Sequence, residues 1–193
     1  KGIEPIIVFN KSDMGDFGEY IRIYQNAGFK TFSVSALNGV GIEAIKEELK
    51  GSISAFTGNS GVGKSSLLNA MLGDDIIETG EVSEKLGRGR HTTRHTEIYP
   101  LSFGGFVADT PGFSSIDAGD DFALKEHLAE YFEDFGDYIY ECQFSSCSHT
   151  KEKGCAVIKA VKEGRIEKTR HESYVALFEE LKDLKMWQNK HKK

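Results

Sequence analysis

Gly58-Asn59-Ser60-Gly61-Val62-Gly63-Lys64-Ser65 combines glycines, a lysine and a hydroxyl at the spacing that grips phosphate. Glycines allow successive backbone N–H groups to turn inward around a diphosphate, and a helix starting at the lysine adds the positive end of its dipole. Gly61 and Gly63 are expected to leave room for the diphosphate. Lys64 is expected to reach the β- and γ-phosphates, with the Ser65 hydroxyl on Mg2+ and Ser66 also in the nucleotide-contacting set.

Asn10-Lys11-Ser12-Asp13 selects the base. An ionised carboxylate only accepts hydrogen bonds. Guanine presents N1–H and N2–H2 as parallel donors, whereas adenine has an acceptor at N1, which Asp13 would repel. Asn10 is expected to contact the other edge of the base and the Lys11 stem to lie along its face. In Ser35-Ala36-Leu37, the Ala36 N–H is expected to donate to the guanine O6. With the phosphate loop, these residues favour GTP over ATP.

Asp109-Thr110-Pro111-Gly112 follows a candidate strand. Asp109 is expected to hold Mg2+ through water, with the Gly112 N–H facing the γ-phosphate. Thr92 or Thr93 is expected to ligate Mg2+ only with GTP bound, so that hydrolysis releases both loops. Phe113 stands where small GTPases often use a glutamine to orient the attacking water. Intrinsic hydrolysis should therefore be slow. His91 is the candidate water-positioning group, with Lys64 and Thr93 completing the catalytic set.

The only three cysteines are clustered with a histidine, as Cys142, Cys147, His149 and Cys155. An odd cysteine count in a cytosolic chain argues against disulfides. Three thiolates and an imidazole make a closed tetrahedral set for Zn2+ with no position left for water, which predicts a structural site. Its ligation would contribute directly to folding.

Elements that could position these groups alternate between strand and helix. Residues 5–9 form an apolar, β-branched run that reads as a buried parallel strand, and 29–34 and 53–57 read as two more. Helices are expected over 17–27, stopping at Gly28, around Ile42, Ile45 and Leu49, and over 64–72, closed by Gly73. Residues 74–94 read as a mobile loop, and 97–103 with 106–109 as an antiparallel hairpin turning at Gly104-Gly105. Beyond residue 122 a helix is expected with Leu124, Leu128, Tyr131, Phe132 and Phe135 on one face. A short helix over 156–163 and a long one over 169–189 follow, the latter striped by Tyr174, Leu177, Phe178, Leu181 and Leu184. The expected architecture is α/β, a P-loop NTPase three-layer fold, circularly permuted, over 1–117, then a small helical zinc-binding domain over 118–193.

The permutation is read from motif order: the base-reading segments precede the phosphate loop, whereas in ordinary small GTPases they trail it. In such a chain the strand and helix that normally precede the base-reading strand should lie upstream of residue 1. The sequence is therefore expected to be a fragment. No apolar run approaches the ~20 residues of a membrane helix, and no signal-peptide pattern opens the chain, so a cytoplasmic protein without a membrane partner is expected. The net charge of −6 argues against a wholly basic nucleic-acid sleeve. Even so, Lys85, Arg88, Arg90 and Arg94, and the lysines from Lys182 to Lys193, form local patches suited to a phosphate backbone.

Together these motifs resemble the ribosome small subunit-dependent GTPase A family (RsgA/YjeQ). The resemblance covers nearly the whole chain: the rotated order, Gly58–Ser66, His91-Thr92-Thr93, Asp109–Gly112 and the cysteine–histidine cluster. It implies a GTPase acting in late maturation of the small (30S) ribosomal subunit. It also implies binding of GTP or GDP and 16S rRNA, stimulation by the subunit, and an upstream OB-fold domain; a monomer is expected. The alternative is a GTP-gated rRNA-binding module in which turnover is incidental.

Overall fold

The structure is a computed structural model, described over residues 2–73, 97–109 and 126–182. The chain divides into two compact units, Lys1–Ile21 with Thr31–Ile116, and Arg22–Lys30 with Asp117–Lys193.

In the first unit, β1 (Ile6–Phe9) pairs with β2 (Lys30–Ser33). A second sheet has the order β3-β5-β4, from β3 (Ile53–Ala55), β4 (Glu97–Pro100) and β5 (Phe106–Asp109). β3 runs parallel to β5, while β4 and β5 form the antiparallel hairpin, with Glu97 opposite Asp109 and Pro100 opposite Phe106. The hairpin turns through Leu101, whose N–H donates to the Gly105 carbonyl at 3.0 Å. Gly105 is required there. At φ +97 it lies so close to the preceding connection that a Cβ would sit 2.6 Å from the Ser52 carbonyl oxygen, a backbone clash no side-chain rotation relieves.

Among the described residues the two sheets are not hydrogen-bonded into one. They share a core. Val34, Ile42, Ile45, Leu49, Leu67 and Met71 are buried together, with Ile6, Val8, Phe32 and Phe56 packed against them. The apolar faces of α2 (Ile42–Leu49) and α3 (Lys64–Leu72) account for most of this cluster. β1 is half-buried along its length rather than fully buried, because it has a strand partner on one side only among the described residues.

α1 (Gly18–Asn26) ends near Gly28, as its spacing predicts. Its residues from Arg22 onward group with the C-terminal unit. That unit has a core of Leu128, Phe132, Phe135, Val157, Ala160, Ile166, Tyr174 and Leu181. From Leu128 onward the helix expected through residue 135 is replaced by two 3₁₀ segments, Leu128–Tyr131 and Glu133–Tyr140. Leu128, Phe132 and Phe135 still point inward, but Tyr131 is exposed. The two segments coil around one ring: Tyr174 lies edge-on to Phe132 at 5.3 Å and to Phe135 at 4.9 Å. Gly136, with φ 45 and ψ −135, is incompatible with a continuous helix.

α4 (Ala156–Lys162) and α5 (Lys168–Lys182) complete this unit. Leu177, placed on the apolar stripe by its spacing, is exposed, whereas Tyr174 and Leu181 are buried. The steps of four and seven residues from Tyr174 to Phe178 and Leu181 keep one face inward, and position 177 turns away from it. No helix of the described residues is long and apolar enough to cross a membrane.

Candidate functional site

β3 ends at Ala55 and α3 starts at Lys64, so the glycine loop spans strand end to helix start. Three glycines in it have positive φ: Gly58 at 148, Gly61 at 81 and Gly63 at 89. Lys64 folds back over the loop, and its Nζ donates to the carbonyls of Gly58 at 2.6 Å and Asn59 at 3.0 Å. Ser60 and Ser66 are exposed, and Ser65 is half-buried on the first turn of α3.

The base-reading segments are drawn to this loop by two side chains, Asn10 and Lys11. Asn10 Nδ2 donates to the Val62 and Gly63 carbonyls at 3.2 and 3.3 Å. Its Oδ1 accepts from the Ala36 N–H at 3.1 Å and from the Lys11 N–H at 2.8 Å. Lys11, itself at φ 66, donates from Nζ to the Gly61 carbonyl at 2.8 Å. Asp13 accepts through Oδ1 from the Ser35 hydroxyl at 2.5 Å. Ser35 Oγ also accepts from the Asn38 N–H at 3.2 Å. Three segments far apart in sequence therefore converge, while Asp13 and Leu37 stay exposed.

Gly63 leaves the room that Asn10 occupies: a Cβ there would sit 2.4 Å from Asn10 Nδ2 and force the amide to move. The ties not anticipated from sequence include Asn10 and Lys11 to the phosphate loop, Ala36 to Asn10, and Ser35 to Asp13. The residue types carried the signal, since a carboxylate beside a serine and an amide beside open carbonyls tend to pair. Asp109 closes β5, its backbone opposite Glu97. His91, Thr92, Thr93 and Gly112 lie outside the described residues.

In the second unit, Cys142, Cys147, His149 and Cys155 bring their donor atoms within 4.8 Å of one another. A tetrahedral zinc ion with Zn–S of about 2.3 Å and Zn–N of about 2.0 Å requires edges of about 3.8 Å between sulfurs and about 3.5 Å from sulfur to nitrogen. Cys142 Sγ and Cys155 Sγ are 3.8 Å apart, and His149 Nδ1 lies 3.5 and 3.6 Å from them. The donor set fits such a cation.

Backbone donors face two of the sulfurs, and burial acts on the histidine and the thiols in opposite senses for ligation. The Ala156 N–H points at Cys142 Sγ at 3.3 Å, and the Ile158 N–H at Cys155 Sγ at 3.5 Å. Burial lowers the His149 pKa and keeps the imidazole neutral. Burial also pushes the Cys147 thiol up to about 12 and raises Cys155. These thiols ionise at neutral pH only against a bound cation.

Supporting groups hold the knuckle. His171 donates from Nε2 to the His149 carbonyl at 2.7 Å, and the Tyr174 hydroxyl donates to the Ser148 carbonyl at 2.9 Å. Glu152 accepts from the Ser148 hydroxyl and from the N–H groups of Ser148, Thr150 and Lys151, each of the last three at 3.1 Å.

A family model described as RsgA GTPase matches residues 1–119. The small ribosomal subunit biogenesis GTPase RsgA of Caldanaerobacter subterraneus subsp. tengcongensis is 47% identical over 184 residues, covering 94% of this chain and 61% of that protein. Its namesake in Ruminiclostridium cellulolyticum is 42% identical over 192 residues, covering 98% of this chain and 62% of the relative. The chain thus spans about three-fifths of the length of these relatives. The crystal structure of YjeQ from Thermotoga maritima matches with a TM-score of 0.72 at 37% identity, covering 95% of this chain and 62% of that one. The crystal structure of YloQ, described as a circularly permuted GTPase, matches with a TM-score of 0.72 at 31% identity, covering 94% and 58%.

Proposed function

The chain belongs to the RsgA GTPase family, and from that premise we propose that it binds and hydrolyses GTP during late maturation of the small ribosomal subunit. The observation that carries this reading is the junction at Asn10, which joins the base-reading loop, the Ser35–Leu37 turn and the phosphate loop. Asp13 supplies an acceptor for guanine N1–H and N2–H2. Its Oδ1 is already engaged by the Ser35 hydroxyl, which fixes the carboxylate plane. Lys64, now on loop carbonyls, moves to the phosphates when nucleotide enters.

A bound Mg2+ supplies charge neutralisation at the β- and γ-phosphates, with Ser65, Asp109 and Thr92 or Thr93 as its protein partners. His91 positions the water, since Phe113 lacks any polar group. The run from β3 through the glycine loop into α3 supports the finer fold reading, a permuted three-layer P-loop fold. In the second unit the closed four-donor set is a structural zinc site. The subunit's 16S rRNA is the proposed partner of a monomeric, cytoplasmic protein.

The test is GTP hydrolysis by the full-length protein, titrated with small ribosomal subunits, with and without excess ATP. Stimulation that ATP does not compete away is expected. Tight GTP binding with no stimulation would instead favour an rRNA-binding module gated by nucleotide, and competition by ATP would refute the guanine reading.

A further inference from the structure

The boundary between the two compact units falls inside a single helix, since Gly18–Ile21 group with the first and Arg22–Asn26 with the second. We propose that α1 couples guanine-nucleotide affinity to the metal state of the Cys142–Cys155 cluster, with Glu167 and Arg170 as positioning residues. This rests on the nucleotide reading above.

The start of α1 is fastened beside the base reader. Asp16 Oδ1 accepts from the Gly18 N–H at 2.8 Å. The Phe17 and Tyr20 rings lie 5.8 and 6.5 Å from Phe9, the residue preceding Asn10. The end of α1 is fastened differently. Arg22 and Asn26 both donate to Glu167 Oε1, at 2.5 and 3.0 Å. Arg170 grips Asp134 with two nitrogens at 2.9 and 3.3 Å. Its guanidinium faces the rings of Phe132, Phe29 and Tyr24 at 4.8, 5.5 and 5.7 Å. The pair is largely out of water, with side chains 14% and 5% exposed.

The same stretch of chain braces the metal cluster. His171 and Tyr174 hold the carbonyls of His149 and Ser148, and they sit on the first turns of α5, directly after Glu167 and Arg170. Metal loss therefore loosens the base on which the end of α1 is clasped.

α1 has nine residues, and isolated helices shorter than roughly 12–15 residues are marginal in water. Its order depends on docking at both ends. With one end released, nucleotide binding has to re-order the helix behind Asn10, and affinity falls. Linkage makes the effect reciprocal: nucleotide must strengthen metal retention by the same factor.

The experiment measures the affinity of a fluorescent GDP analogue for the whole chain, zinc-loaded and after chelation, together with zinc loss to a chelator with and without GDP. Chelation is expected to weaken GDP about five-fold or more, and GDP to tighten zinc by a matching factor. Glu167→Ala, a change at a half-buried side chain outside the metal cluster, should weaken GDP several-fold while zinc stays bound, and should speed amide exchange over residues 22–30. Arg170→Met should do the same more strongly. Equal GDP affinity with and without zinc in the wild type would overturn the coupling, as would unaltered affinity in zinc-loaded Glu167→Ala. Absence of any GDP binding by the zinc-loaded wild type would remove the nucleotide reading itself, and this inference with it.

Discussion

Replacing Gly63 by alanine tests the Asn10 junction at its tightest point. The new Cβ would lie 2.4 Å from Asn10 Nδ2, so the amide must retreat by about 1 Å to regain van der Waals distance. Its bonds to Val62 and Gly63, already 3.2 and 3.3 Å, then stretch beyond useful length. Each is worth roughly 0.5–1.5 kcal/mol, so the nucleotide site loses about 1–3 kcal/mol of organisation, or about 5- to 150-fold in GDP affinity. Separately, the left-handed backbone at φ 89 costs alanine about 1–2 kcal/mol, which lowers the unfolding midpoint. Isothermal titration with GDP reads the first effect and thermal unfolding the second. Gly73→Ala is the control: it shares a left-handed φ of 81 at the α3 C-cap but meets nothing within 4 Å, so stability should fall and GDP affinity should not. In a double-mutant cycle with Asn10→Ala the two affinity losses should overlap strongly. Strict additivity, or an unaltered GDP affinity in Gly63→Ala, would refute the reasoning.

Two other outcomes follow from single side chains. In Asp13→Asn, the Ser35 hydroxyl should keep the amide oxygen and turn the new NH2 toward the base. Guanine binding should then fall by about 2–4 kcal/mol, and a base with a carbonyl at C2 should be preferred; competition by xanthosine diphosphate reads this, and retained guanine preference contradicts it. Burial alone would raise the Glu152 carboxyl, yet hydrogen bonds from the Ser148 hydroxyl and the Lys151 and Ser148 N–H groups hold it down to about 2, below its ordinary 4.5. Its contribution to stability is therefore complete above pH 4.5 and is lost as pH falls toward 2. Glu152→Gln should be less stable than wild type at neutral pH and converge with it in acid; parallel unfolding-midpoint curves would be the contrary result.

Local signals carried much of the fold. Gly73 stops α3 at Leu72, and the hairpin turns at Gly104-Gly105, because glycine at positive φ is written in the residue itself. The four metal donors are also compact in sequence, and they meet within 4.8 Å. What stayed hidden depended on distant partners. Leu128, Phe132 and Phe135 follow a helical spacing, but two 3₁₀ segments wound around Tyr174 bury the same positions. Nothing near Arg170 advertises Asp134, 36 residues away, or the rings of Tyr24 and Phe29. The grouping of Arg22–Lys30 with the C-terminal unit was likewise invisible, since α1 reads as an ordinary amphipathic helix from either side.

Asn10 and Val62 are 52 positions apart, and in this motif order the amide leaves the ribosome first. At roughly 5–20 residues per second of synthesis, the base reader waits about 3–10 s for the carbonyls it will bind. Throughout that interval a growing chain displays Asn10, Lys11 and Asp13 with no cradle to join, so nucleotide capture becomes a late event in the birth of the molecule.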